Sequence, residues 1–320
     1  MARDRHNGLT QAIALSVASL IAFCAPARES NESASNSHCE FGPGLSLGPV
    51  VNSPVFDGSP TVSPDETELV FTSGRHGQQD LFVSTRPSKK AAWSEPVNLG
   101  LLVNDSISDD FSPRLSSDGR ALYFGSFDRS GGFGKGDMYV ATRASSQHPW
   151  GHATNLGPLL NTEAFEAFPT PSADAKLLYF NRSTTFDSQD SDIWVTSRAG
   201  PEDEWSVPQR APSGINTDRA EFSPSLSTDG NTLYFASERG GSIEVWVSTR
   251  EDQAREWGAP QWLGADVNVP RSMTLAPFLS NDQRSLYFMS ARPEAAADEA
   301  CSPRTCFDRL DLYVAAVNCR

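Results

Sequence analysis

The sequence predicts an all-β protein: a five-bladed β-propeller closed by an N-terminal strand donated to the last blade. Three observations predict it. One strand-forming unit recurs five times, each copy holds about four short strands, and the fifth copy stops one strand early while the N-terminus carries the missing one.

The unit begins Pro-x-x-Ser/Pro-x-Asp and runs into an aromatic strand. The copies are SPTVSPDETELVFTS (59–73), SPRLSSDGRALYFGS (112–126), FPTPSADAKLLYFNR (168–182), SPSLSTDGNTLYFAS (223–237) and APFLSNDQRSLYFMS (276–290). Asp-Gly at 118–119 and 229–230 supplies a tight turn between the first two strands. A third strand follows in each copy, at 80–86, 137–143, 192–198, 244–250 and 311–317. Its β-branched and aromatic residues suit a buried sheet. A Trp-led segment completes four copies, at Trp93, Trp150, Trp205 and Trp257. Asn52, Asn104, Asn161, Asn216 and Asn268 mark the repeat, at spacings of 52, 57, 55 and 52 residues. Four strands per repeat of this length describe a propeller blade.

The fifth copy ends after its third strand, at Val317. Its missing fourth strand should resemble NLGPLLN (155–161), and SLGPVVN (46–52) does. Residues 46–51 are therefore expected to pair antiparallel with 311–317, which removes an exposed sheet edge.

The pattern Ser-Pro-x-x-Ser-x-Asp-Gly-x-x-Leu-Tyr-Phe-x-Ser resembles the WD40-like (PD40) propeller repeat of the TolB group, over residues 45–318. The separate N-terminal domain of TolB has no room in residues 28–44. The resemblance implies the fold and leaves the role open, because that repeat serves many functions. Prolyl-oligopeptidase-type propellers are similar too, but no hydrolase domain and no Gly-x-Ser-x-Gly occurs.

Ahead of the repeats, Arg3 and Arg5 precede an apolar run from Leu9 to Phe23, then Ala25-Pro26-Ala27. Residues 1–27 read as a secretory signal, 28–44 as a linker and 45–320 as the propeller. Ile21-Ala22-Phe23-Cys24 also approaches a lipobox, so a lipid anchor on Cys24 is the alternative. The expected location is periplasmic or extracellular. Four cysteines follow the signal, and export suggests two disulfides, Cys39–Cys319 at the ring seam and Cys301–Cys306 within one loop. The five histidines are scattered, and no spacing suits zinc.

With 26 Lys+Arg against 40 Asp+Glu the chain carries a formal charge of −14, which argues against nucleic acid as a partner. Beyond the signal no stretch is long and apolar enough to span a membrane. A monomer is expected.

Asp57, Asp110, Glu166 and Glu221 stand three residues before the repeat prolines, with Thr274 in the fifth copy. In a propeller these positions should ring one mouth of the central channel. There they could hold Ca²⁺ or a basic ligand group, or simply bond to backbone amides or a neighbouring arginine. Asp109, Glu163 and Asp218 lie in the same loops. Arg75, Arg129, Arg182, Arg239 and Arg292 recur after the second strand, and Asp80, Asp137, Asp192, Glu244 and Asp311 at the start of the third, an arrangement that suggests ion pairs across that hairpin. The tryptophans read as packing residues. Gly132-Phe133-Gly134-Lys135-Gly136 lacks the Ser/Thr and the following helix of a phosphate loop and reads as a hairpin connection. The long connection 293–309 of the fifth copy is a candidate recognition loop.

The function expected is non-catalytic binding of a protein, peptide or glycan in the cell envelope. The alternative is a glycoside hydrolase using two of the four ring carboxylates.

Overall fold

The computed structural model describes residues 39–186, 189–270, 272–292 and 310–319. Two short N-terminal strands, β1 (Cys39–Phe41) and β2 (Leu45–Ser46), precede the first blade. Blade one holds β3 (Asp57–Val62), β4 (Glu68–Ser73), β5 (Asp80–Thr85) and β6 (Val97–Asn98). Blade two holds β7 (Asp110–Leu115), β8 (Ala121–Phe127), β9 (Gly136–Thr142) and β10 (Thr154–Asn155). Blade three holds β11 (Phe165–Pro171), β12 (Leu177–Ser183), β13 (Asp192–Ser197) and β14 (Gln209–Arg210). Blade four holds β15 (Glu221–Leu226), β16 (Thr232–Ser237), β17 (Glu244–Thr249) and β18 (Gln261–Trp262). Blade five holds β19 (Thr274–Leu279), β20 (Ser285–Ser290) and β21 (Asp311–Cys319). Each blade is an antiparallel meander, and a parallel bridge from Phe165 to Gly136 joins blades two and three.

The repeat proline explains the innermost strand. In all five blades the residue before it lies in the left-handed region: Ser59, Ser112, Phe168, Ser223 and Ala276, with φ between 50° and 54°. The pairing register shifts at each of these points. A bulge therefore kinks every channel strand, and none of its five residues is glycine, so each carries backbone strain. Fivefold repetition makes this strain a property of the architecture, not the mark of one site.

The core lies between blades. Phe71, Phe124, Phe180, Phe235 and Phe288, the Phe of each aromatic strand, are fully buried. Val70 and Leu81 of blade one pack with Leu122 and Phe124 of blade two, and the same face-to-face packing continues round the ring. It closes where Leu69 and Phe71 meet Tyr287 and Met289 of blade five. The tryptophans complete these contacts. Arg86, Arg143, Arg198 and Arg250 stack on Trp93, Trp150, Trp205 and Trp257 at 3.9–4.2 Å, and Arg143 also reaches Glu68 of the preceding blade at 2.9 Å.

Closure occurs on β21, as the repeat arithmetic predicts, but over fewer residues. Leu45 and Ser46 pair with Val314 and Tyr313, after which Leu47 N–H donates to Leu312 and the chain turns. Part of the expected linker is also strand: Cys39–Phe41 pairs with Cys319–Val317. This register sets Cys39 opposite Cys319, and the two form the seam disulfide. Such a bond suits an oxidising compartment. Cys24, Cys301, Cys306 and the whole loop 293–309 lie outside the described residues.

The Asn markers prove to be clamps. Each Asn side chain both accepts from the N–H and donates to the C=O of one residue on a third strand. Asn104 holds Leu81, Asn161 holds Met138, Asn216 holds Ile193 and Asn268 holds Val245. Asn52 holds Leu312 in the same way across the seam.

Candidate functional site

The first strands start, and the second-to-third connections emerge, at one face of the ring, since Asp57, Ser73 and Asp80 stand opposite one another across β3, β4 and β5. The four predicted carboxylates all sit at this level and are fully buried. Each is enclosed within its own blade. Asp57 accepts from Ser53 Oγ (2.7 Å) and Arg75 Nη2 (2.9 Å), and Asp110 from the Asp105 N–H (2.6 Å) and Arg129 Nη1 (3.3 Å). Glu166 accepts from Thr162 Oγ1 (2.6 Å) and Arg182 Nε (2.7 Å). Glu221 accepts from Thr217 Oγ1 (2.8 Å), Ser237 Oγ (2.7 Å) and Arg239 Nη2 (3.4 Å).

The same arginines donate to the carbonyls just before the Asn clamps, at Val51, Val103, Leu160 and Ile215. The acid, the arginine and the clamp together fasten the loop that enters each blade. Blade five has Thr274 in place of the acid, and there Arg292 bonds to the carbonyls of Gly44, Asp266 and Val267. In blades one to four the arginine thus pairs with the acid of the first strand rather than across the hairpin. Asp80 instead accepts from Asn98, Asp137 from Asn155, and Asp192 from Arg210. The reason is depth: the arginine lies beneath the entry loop, where the buried acid and an unpaired carbonyl converge.

Among the described residues no group of three or more His, Cys, Asp or Glu side chains is arranged to hold a metal ion. In this geometry the four carboxylates are engaged in four separate ion pairs. Burial still perturbs two of them. It raises the carboxyl of Asp110 to about 7 against the pull of Arg129, and it raises that of Glu166 despite Thr162 and Arg182.

The glycines of 132–136 are explained by close approach. A Cβ on Gly134 would stand 2.1 Å from the Thr162 carbonyl, and one on Gly136 would stand 2.3 Å from the Phe165 ring. The amide N–H groups of Phe133 and Gly134 donate to the Asp137 carboxylate, so this loop holds an anion of its own chain.

Two residues missed by sequence reasoning depart from the repeat. At the position occupied by Thr61, Thr170, Ser225 and Phe278 in the other blades, blade two has Arg114. Its Nη2 approaches the Pro224 and Pro277 carbonyls at 3.5 and 3.2 Å. A side chain of blade two that touches blades four and five must cross the axis, so Arg114 plugs the channel. Asn281 Nδ2 also donates across the ring to the Ser117 carbonyl, at the hairpin-turn end. The second departure is Glu238, where the other blades have Gly74, Phe127, Ser183 and Ala291. It is buried at the strand-start face, and burial raises its carboxyl to about 7 despite the nearby Arg219. In both cases the available signal was a charged residue at one copy of a neutral repeat position.

The strand-start face also exposes apolar side chains. Val55, Leu101, Leu102, Ile107, Phe133 and Leu159 project from its loops, Ile107 being 80% exposed. Beside them Phe111, Phe127, Phe165 and Phe186 form a ring cluster between blades two and three, with centroids 5.1–6.5 Å apart.

Fold and site define a five-bladed β-propeller whose channel is crossed by the Arg114 side chain. No family model and no curated protein matches the chain. Solved propellers match in shape alone. The catalytic domain of a Coprinopsis cinerea GH62 alpha-L-arabinofuranosidase is 11% identical, with a TM-score of 0.59 over 87% of this chain and 97% of that one. A Bacillus subtilis arabinanase is 12% identical, with a TM-score of 0.53 over 86% and 97%. TolB from Acinetobacter baumannii is 12% identical, with a TM-score of 0.44 over 84% of this chain and 56% of that one.

Proposed function

We propose that this chain is an exported, non-catalytic propeller whose strand-start face binds a protein, peptide or glycan partner in the cell envelope. One observation carries the reading: the loops that enter the blades and join their second and third strands expose large apolar side chains, Val55, Ile107 and Phe133 among them. Apolar side chains clustered on one face of a rigid scaffold mark interaction surfaces. They suit a protein or peptide better than a glycan, whose hydroxyls need polar partners. Asp109, Glu163 and Asp218 border the same loops and would favour basic groups on the partner. The export part rests on the N-terminal charge and apolar pattern and is supported by the Cys39–Cys319 bond. Pull-down from envelope extract with residues 28–320, followed by mass spectrometry, tests the reading. Capture of a specific partner that is lost in the Ile107→Asp/Phe133→Asp double variant is expected. Capture that this variant leaves unchanged would overturn it.

A glycoside hydrolase is the second reading, favoured by Glu238. A buried carboxyl raised to about 7 is the state a general acid needs. The test is a screen on aryl glycosides and polysaccharides, arabinosides included. Turnover abolished by Glu238→Gln or Glu221→Gln would establish this reading in place of the first.

A further inference from the structure

We propose that the channel, at Arg114, binds a small monovalent anion. Arg114 is 6% exposed and lies across the axis, reached from three blades. Its Nη1 is buried and has no hydrogen-bond partner among the described residues, and no carboxylate pairs with the guanidinium. The ring of Phe278 lies 4.9 Å from its central carbon, and Nη2 is shared between the Pro277 carbonyl at 3.2 Å and the Pro224 carbonyl at 3.5 Å. These neutral contacts only partly replace water, and a buried, unpaired charge is among the costliest groups a protein can hold. Burial also draws the guanidinium down to about 9. Ser112 Oγ and Ser223 Oγ are buried without partners, the first two residues before Arg114 and the second just before Pro224.

One guanidinium offers one charge to neutralise, so a singly charged anion is the complement. A water on Nη1 would satisfy the bond but leave the charge. At the same level Thr61 Oγ1 accepts from the Leu115 N–H, Thr170 Oγ1 donates to the Pro224 carbonyl, and Phe278 contributes an apolar wall. A halide or a carboxylate would meet these requirements, and both carry the same chemistry.

The test is thermal unfolding of the purified chain in bromide and formate series, each at constant ionic strength with sulfate as the balancing anion. A rise in Tm of about 5 °C is expected when the anion reaches about 100 times its Kd, with no rise in Arg114→Met. A response to bromide alone assigns a halide site, and a response to formate assigns a carboxylate site. No rise in either series, or an equal rise in Arg114→Met, would overturn the proposal. Should Arg114→Met not fold, bromide-soaked crystals of the unaltered chain decide the matter. An anomalous peak against Nη1 supports the site, and a water or nothing there refutes it.

Discussion

The side-chain amide of Asn52 accepts from the N–H of Leu312 at 2.9 Å and donates to its C=O at 3.1 Å, bridging 260 residues of sequence. Four local copies of this clamp hold the third strand of one blade to the loop entering the next. The fifth copy makes the chain a closed ring. Asn52→Ala leaves the Leu312 N–H buried and unpaired, while its C=O keeps the Leu47 N–H, at a cost of roughly 1–3 kcal/mol. Asn161→Ala should cost about as much. Hydrogen exchange separates them: protection should fall along β21 in the first variant and along β9 in the second.

The Cys39–Cys319 bond spans 280 residues. In the chain-entropy model a loop beyond about 100 residues contributes roughly 4–5 kcal/mol. The Cys39→Ser/Cys319→Ser double variant should therefore unfold at a lower denaturant midpoint and release β1 first to limited proteolysis. An unchanged midpoint would place the closure energy wholly in the clamp and the inter-blade core.

Glu166 is expected to act as a structural counter-charge to Arg182. Glu166→Gln strips the counter-charge from Arg182 and should cost roughly 2–4 kcal/mol. Adding Ca²⁺ to the unaltered protein should release no heat in calorimetry and leave Tm unchanged. A calcium-dependent rise in Tm that Glu166→Gln abolishes would instead establish a shared cation site.

Glu238 makes stability depend on pH. Its carboxyl is raised from 4.5 to about 7 in the folded protein, so between those values the native state binds a proton that the unfolded chain has released. Stability from this group is complete below about 4.5 and is lost as pH rises through 7, by an amount on the order of 3 kcal/mol. Asp65, Asp118, Asp174 and Asp282 are lowered and act in the opposite sense at acid pH. The difference between the unaltered chain and Glu238→Gln isolates Glu238: chemical denaturation from pH 4.5 to 7.5 should show Glu238→Gln losing less stability than the unaltered protein.

Repetition made the blades and their number legible. A strand must alternate faces and end in a turn, so Leu-Tyr-Phe followed by Asp-Ile-Trp-Val can be read locally, and the spacing of the Asn markers counts the copies. The truncated fifth copy even revealed the seam, because SLGPVVN matches a strand found elsewhere in the same chain. Which charge meets which was not legible. Arg75 stands nearer in sequence to Asp80 than to Asp57, yet it pairs with Asp57 because both are buried beneath the entry loop while Asp80 is held by Asn98. The plug was hidden for a related reason. Arg114 is one variable letter in Ser-Pro-Arg-Leu, and a repeat pattern averages over such letters. Only closing five blades around an axis brings it to Pro224 and Pro277, because contacts across a channel carry no trace in local spacing.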